Sequence, residues 1–523
     1  MAMGAWSDVG EQGELFLTSA DFPESPGHVF YVRLNALLGE ASFDSFVESA
    51  CRASYDAGVT GGRPSVPPGV YFRMLFVGYF EGIDSQRGIA WRCADSLSLR
   101  DFLGLSWKES VPDHSSLTKI RKRLPASVHE SVFAWVLKLC ADKQLLTDPS
   151  VVGVDSTTIE ANAAMRSIVR KDTKQPYVEY VKTLMREEKE KETTDETKTT
   201  EPPSSDTALS PPPTRPNDPP AAEAKTESPE STTPEPTLAE IIRFDRKRKG
   251  KTTSNADWES ATDPASRIAK MKDGRTHLAY KAEHVVDLKS EVILAAVIYS
   301  ADVMDTQTLT DSVMTARCHL QAAVGDALTI DGTAADKGYH TREQLALAQA
   351  YGVRTYVAEP ERTGRLRWTG VPDEQKRAVL ANRRRGKSDR GKALQRRRSE
   401  VVERSFAHVC ETGGGRRSWL KGLVTVTKRY TMAIAARNLG LVMRKLFGIG
   451  KPRTLQAGGK PDGTDGAKGE GHGGPDGPGN GPDGLLKRLL RHLRAFSIRP
   501  RAGILAPANN WREREPFAFA MAW

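Results

Sequence analysis

An α/β fold with a mixed sheet flanked by helices, preceded by a small helical domain, is what this 523-residue sequence predicts. Three observations predict it. From Val151 to Ala358, short β-branched runs and amphipathic stretches follow the order strand, hairpin, helix, strand, helix, strand. Before residue 145 the apolar residues instead recur at three- and four-residue spacing. Two segments, 186–240 and 451–484, lack the residues to join either core and are expected to be disordered.

In the N-terminal part the breaker GGRPSVPPG introduces a dense apolar run, Val70 to Tyr79. Helical spacing returns over Leu97 to Leu105 and Ser131 to Cys140. Between these, DHSSLTKIRKRL (Asp113 to Leu124) has cap-forming residues ahead of a basic helix. Its Lys119, Arg121, Lys122 and Arg123 form either a solvated face or a phosphate-contacting one.

The pattern changes at Ser150. Val151-Val152-Gly153-Val154-Asp155 reads as a buried strand ending in a carboxylate. His277 to Val286 and Glu291 to Tyr299 read as two strands joined by Asp287-Leu288-Lys289-Ser290. A helix is expected from Asp305 to about Ala322, a strand ending near Asp336, a helix over Thr341 to Ala350 and a strand over Val353 to Ala358. Long helices over Leu394 to Glu411 and Val424 to Phe447 close this part. His277, Tyr280 and His284 share the hairpin and read as structural, with a DNA or metal-supporting contact as the alternative; Asp263 with Pro264 marks a turn.

The insert between the first strand and the hairpin has no aromatic residue from Arg186 to Thr237, and residues 201–240 hold 11 of the 31 prolines. Ordering it would cost more entropy than its apolar surface returns. A second linker places 12 glycines in residues 457–484. It leads into LLKRLLRHLR, Leu485 to Arg494, a short basic amphipathic helix that reads as a dispensable tail element, with a membrane-surface or partner-binding role as the alternative. The expected division is therefore a helical domain over 1–145, a first core segment over 146–185, the acidic insert over 186–240, the rest of the core over 241–450, a linker over 451–484 and a basic tail over 485–523.

Charge points to a polyanion. The chain carries 76 Lys and Arg against 66 Asp and Glu, a net +10, and it is unevenly spread. Residues 361–404 hold 15 basic and 6 acidic side chains, whereas residues 186–240 hold 6 basic and 14 acidic ones. Other classes are excluded. The five cysteines are widely spaced with no CxxC pair, so neither a disulfide framework nor a zinc knuckle is expected. The longest apolar run, Val292 to Tyr299, is far too short to span a bilayer, and the N-terminus lacks a signal pattern, so a cytoplasmic protein is expected. No GxxxxGK[ST] loop is present.

Three carboxylates are placed by pattern rather than scattered. Asp155 ends an apolar strand, Asp336 follows one in AADKGYH, and Glu403 lies mid-helix in VVERSFAHV. A strand-end cap, a turn aspartate and a surface ion pair explain each of them separately.

Together they carry a resemblance. GRPSVPPGVYFRMLFVGYFEGIDSQRGIAWRCADSLSLRDFLGL with VPDHSSLTKIRKRL, VGVDSTTIEANA, DGTAADKGYHT, and SEVVERSFAHVCETGGGRRSWLKGLVTVTKRYTMAIAARNLGLVMRKL resemble, in order, bacterial insertion-sequence transposases of the Asp-Asp-Glu (DDE) class. The resemblance spans most of residues 25–450 apart from the insert. It implies a ribonuclease H-like catalytic domain in which Asp155, Asp336 and Glu403 hold two Mg²⁺ ions, or Mn²⁺, for phosphoryl transfer on DNA. It further implies binding to double-stranded DNA, both terminal inverted repeats and target, release of 3′-hydroxyl ends and their joining to the target. A homo-oligomer on DNA in the bacterial nucleoid follows from it, with no role for a membrane. Arg383, Arg384, Arg385, Arg396, Arg397, Arg398 and Arg404 join the basic helix as candidate DNA contacts. Glu400 is a near rival for Glu403. One departure is Cys410, where related transposases commonly carry a basic residue; Arg404, Arg416 or Arg417 are its candidate substitutes. Alternatives are a metal-dependent nuclease that cuts without joining, and a DNA-binding protein that has lost catalysis.

Overall fold

The computed structural model describes residues 27–55, 65–106, 108–196, 236–247, 254–271, 274–361, 364 and 367–453. Helices α1 (Val29–Glu40), α2 (Phe43–Cys51), α3 (Pro68–Glu81), α4 (Gln86–Ala94), α5 (Leu97–Leu103), α6 (His114–Arg123) and α7 (Ala126–Asp142) come first. The sequence sets their limits. Pro68 opens α3, where its missing N–H costs nothing, and Gly82 ends it in the left-handed conformation at φ +69°. Ser85, Ser96 and Asp113 cap α4, α5 and α6 by accepting the N–H of Gly88, Leu99 and Ser116. Helix α3 is buried nearly all round, which is why its apolar run shows no polar face.

Then come β1 (Val151–Glu160), β2 (Ile168–Arg170), α8 (Tyr177–Glu196), α9 (Leu238–Lys247), β3 (Trp258–Ser260), β4 (Arg267–Lys270), β5 (Thr276–Asp287) and β6 (Ile293–Ser300). These are followed by α10 (Asp305–Val324), β7 (Gly332–Ala335), α11 (Arg342–Ala350), β8 (Arg354–Val357), α12 (Asp373–Lys387), α13 (Asp389–Phe406) and α14 (Leu423–Phe447). Across the main sheet the order is β5-β1-β7-β8, with β4 and β6 sharing the outer edge of β5. Strand β5 is antiparallel to β1 and to β6, whereas β1, β7 and β8 are parallel. That is the mixed α/β sheet expected, and its strand order and directions are those of a ribonuclease H-like core.

One sheet face is covered by α13. A Cβ on Gly153 would lie 2.8 Å from Val402 Cγ2 and 3.0 Å from Arg398 Cγ, so only glycine lets the helix sit this close. His284, paired with Asp155 across β5 and β1, is buried on the same face between Ser405 Oγ and Tyr430 of α14, each 2.8 Å away, and stacks on Phe406. The opposite face meets α10 through Glu283, which accepts from Thr308 Oγ1 at 2.7 Å and Tyr339 Oη at 2.9 Å. Helix α7 packs on α10 and α14, and the Phe133 ring meets His319 edge-on at 5.1 Å, so the N-terminal helices and the sheet share one hydrophobic core.

Several elements differ from expectation. Strand β1 continues to Glu160 because Thr157 and Ile159 keep pairing with β5. Helix α8 runs to Glu196, through the first residues of the segment expected to be disordered; its REEKEKE stretch has strong helix formers and opposite charges at helical spacing. The rest of that insert, residues 197–235, and the glycine-rich linker with the Leu485–Arg494 helix lie outside the described residues. Basic residues 373–387 form α12, where high charge hides a narrow apolar stripe of Ala378 and Val379. Helix α13 gives way to a π-helical turn at Ala407–Thr412, where Cys410 is buried beside Tyr430. Among the described residues no helix is long and apolar enough to cross a membrane.

Candidate active site

The parallel pairing of β1 and β7 aligns Val154 with Ala335, so the next residue of each, Asp155 and Asp336, stand side by side at the carboxyl ends of the two central strands. Asp155 Oδ1 accepts the Ser156 N–H at 2.8 Å and Oδ2 accepts from Arg398 Nη1 at 2.9 Å. Burial pushes the Asp155 carboxyl above its ordinary range; Ser156 and Arg398 oppose that, while Asp336 and Asp305 reinforce it. Asp336 Oδ1 accepts the Gly338 N–H at 2.8 Å and so caps the turn Lys337–Tyr339, combining the turn role with its place beside Asp155.

Helix α13 crosses this sheet with three distinct sides. Arg398, Val402 and Ser405 face the strands. Arg397, Glu400 and Arg404 form one flank: Arg404 Nη1 reaches Glu291 Oε1 at 2.6 Å, and Arg397 Nε donates to Leu288 O at 3.0 Å, both at the β5–β6 turn. That turn is at the far end of β1, where Val152 pairs with Asp287. On the remaining, exposed side lies Glu403, about 60° around the helix from Glu400 at roughly 100° per residue. Glu400 is occupied by Arg397 at 3.2 Å and Arg404 at 2.5 Å, which hold its carboxyl below the ordinary range. Glu403 is exposed.

A carboxylate that sequence reasoning missed stands at the same place. Asp305 opens α10, and its Oδ1 accepts from Ser156 Oγ at 2.9 Å and Lys281 Nζ at 3.0 Å. Its signal is the same as that of Asp336, an aspartate between a strand and a helix. In sequence that signal is indistinguishable from an ordinary helix start.

The basic candidates divide. Lys119, Lys122, Arg123, Arg384 and Arg396 are exposed. Arg123 lies over the Tyr55 ring at 4.8 Å, beside a cleft of about 990 Å³ that Lys108 and Lys119 also line. Arg121 is turned inward and buried. Arg383 pairs with Glu359 through Nε at 2.8 Å, and Arg385 donates to Thr355 O at 2.9 Å, so both hold α12 to the end of β8. Arg397 and Arg404 pair with Glu291 and Glu400, and Arg398 pairs with Asp155. Of the substitutes for a basic residue at Cys410, Arg416 pairs with Glu411, and Arg417 lies over the Trp419 ring at 4.6 Å near Glu160.

As placed, no three His, Cys, Asp or Glu side chains among the described residues converge closely enough to hold a metal ion. The donor set nevertheless suits one. It consists of carboxylate oxygens, and Gly338 leaves a cradle between two of them: a Cβ there would lie 3.0 Å from Asp336 Oδ1 and 3.4 Å from Asp305 Oδ2. Hard oxygen donors around open space fit Mg²⁺ or Mn²⁺ rather than a thiolate-seeking metal.

Two family models match the chain: a transposase domain (DUF772) over residues 20–123, and a transposase DDE domain over residues 233–439. The second contains Asp336 and Glu403, while Asp155 lies before it and stands beside Asp336 through the β1–β7 pairing. No curated protein and no solved structure matches the chain. DDE transposases act on DNA and generally use divalent metal ions. With both matches in order along one chain, and a ribonuclease H-like core beneath the second, the protein belongs to the insertion-sequence transposases of the DDE class.

Proposed function

We propose that this transposase binds the terminal inverted repeats of its element, hydrolyses the strand at each end to release a 3′-hydroxyl, and joins that hydroxyl to target DNA, with Asp155, Asp336 and Glu403 as the catalytic carboxylates. The observation that carries the reading is the register that sets Asp155 beside Asp336, with α13, the helix of Glu403, packed across the same sheet and reaching Asp155 through Arg398. Two Mg²⁺ ions, or Mn²⁺, would supply Lewis-acid activation of the attacking oxygen and stabilisation of the leaving one.

The chain's own residues supply position. Asp155 is anchored by the Ser156 N–H and Asp336 by the Gly338 N–H, so both carboxylates are oriented before DNA arrives. Arg398 neutralises Asp155 and, once released from it, is a phosphate contact beside the scissile bond. Exposed Arg396 and Arg384 carry the duplex toward that end, while α6 with Lys119, Lys122 and Arg123 presents a second basic surface in the N-terminal helical part. Two element ends must be processed together, so the working form is a homo-oligomer on DNA in the bacterial nucleoid.

Incubating the full chain with a labelled terminal-repeat duplex, plasmid and Mg²⁺ tests this reading. Joined product supports it. Cutting without joining makes the chain a nuclease on the same scaffold, and binding without cutting makes it a DNA-binding descendant.

A further inference from the structure

We infer that Asp305 is a fourth carboxylate of the metal site, sharing a divalent cation with Asp336. The inference rests on the reading of Asp155 and Asp336 as metal ligands and extends it to a residue on α10. Its first support is orientation. Asp305 Oδ1 is clamped by Ser156 Oγ at 2.9 Å and by Lys281 Nζ at 3.0 Å, which leaves Oδ2 turned to Gly338. Ser156 thereby links two carboxylates, since its N–H holds Asp155 and its hydroxyl holds Asp305.

The second support is space. The place where a Gly338 side chain would begin is bounded by Asp336 Oδ1 at 3.0 Å and Asp305 Oδ2 at 3.4 Å. A cavity of about 490 Å³ opens on the Asp305 side of this place, lined by Ser156, Lys281, Asp305 and Gly338 among others but not by Asp336. Asp336 Oδ1 already accepts the Gly338 N–H, and a cation between the two carboxylates would offset their mutual repulsion. Pairing with Lys281 does not account for the arrangement. That ammonium is buried and lies 3.8 Å from Glu283 as well, so it already has a carboxylate on its other side, and it engages Asp305 through Oδ1 alone.

The third support is the fold. Asp155, Asp336 and Asp305 each immediately follow or closely succeed a strand of the sheet, β1, β7 and β6, and all three lie at its same end. Asp305 also sits in the first turn of α10.

The test is Mn²⁺ binding to the full chain, followed by the electron paramagnetic resonance of the free ion, for the wild type and for Asp305→Asn, Asp155→Asn and Asp336→Asn, with thermal melts to check folding. Asp305→Asn should weaken binding of one Mn²⁺ by about tenfold or more, as loss of a ligand or of its orienting partner does. Wild-type Mn²⁺ binding by Asp305→Asn, with binding lost in Asp155→Asn and Asp336→Asn, overturns the inference and leaves the three-carboxylate reading standing. Wild-type binding by all three variants overturns both. Should Asp305→Asn fail to fold, Ser156→Ala removes the clamp without changing charge; it should weaken the same ion several-fold, and unchanged binding would overturn the inference.

Discussion

Arg398 Nη1 lies 2.9 Å from Asp155 Oδ2, so the helix that carries Glu403 also carries the cation that neutralises the aspartate proposed as the first catalytic carboxylate. Arg398 is largely buried and Asp155 partly so, and the pair is therefore more than a screened surface contact. Arg398→Gln leaves Asp155 without its counter-ion and should lower stability by about 1–2 kcal/mol in chelator. Added Mg²⁺ should then raise the melting temperature of the variant more than that of the wild type. Equal metal-induced shifts would show that Arg398 and the cation do not act on the same carboxylate.

The basic residues should separate by where their side chains end. Arg384→Ala and Arg396→Ala should weaken DNA binding without altering sequence preference, and reduce the slope of log affinity against log salt by about 0.9 for each phosphate no longer neutralised. Arg385→Ala should act through the fold, because Arg385 ties α12 to Thr355 of β8. It should cost about 1–2 kcal/mol of stability and leave the salt slope alone. Salt-dependent binding isotherms set beside denaturant melts distinguish the two groups.

Residues 197–235 are acidic, proline-rich and free of aromatic side chains. Helices α8 and α9, on either side, already pack together, with Tyr177 Oη donating to Asp245 Oδ1 at 2.9 Å. Replacing 197–235 with a short Gly-Ser linker should therefore keep the melting temperature and strand cleavage. A deletion variant that melts far below the parent would reveal a structural role for the insert.

Acid should weaken the N-terminal helices through His129. Its Nδ1 lies 3.1 Å from Pro125 O, a partner that can only accept, so Nε2 is the unprotonated nitrogen that accepts from Tyr71 Oη at 3.2 Å. Burial pulls its pKa down to about 4. The unfolded chain, with an ordinary histidine near pH 6.5, binds the proton first, so this contribution is intact above about pH 6.5 and is lost as pH falls toward 4, at up to about 1.4 kcal/mol per unit. His129→Gln should flatten the stability difference between pH 7 and pH 5 relative to wild type, and unaltered pH dependence would mean that folding leaves the proton affinity of the histidine unchanged.

Much of the core is legible in the sequence because its signals are local. Strand β1, the β5–β6 hairpin, β7, β8, α10, α11 and α14 follow from β-branched runs and helical spacing, and the positions of Asp155 and Asp336 come with them. What escapes depends on partners distant in sequence. Arg121, Arg383 and Arg385 look like their exposed neighbours Lys122 and Arg384 until the fold turns them inward or supplies Glu359 and Thr355. Asp305 reads as a helix start until β1 brings Ser156 against it. Glu403 is favoured over Glu400 in sequence by its flanking VE..F pattern, whereas the ion pairs that occupy Glu400 depend on Arg397 and Arg404, which also meet Glu291 more than a hundred residues earlier.

The central claim is that Asp155, Asp336 and Glu403 act as one metal-dependent catalytic set, and Mg²⁺-dependent nicking of a terminal-repeat duplex by isosteric variants tests it most directly. Asp155→Asn, Asp336→Asn and Glu403→Gln should each abolish nicking while DNA affinity stays equal or rises slightly, because negative charge facing phosphate has been removed. Glu400→Gln, whose carboxylate is taken up by Arg397 and Arg404, should nick at nearly the wild-type rate. Loss of nicking in Glu400→Gln with its retention in Glu403→Gln would contradict the third assignment, and nicking by all four variants would contradict the account.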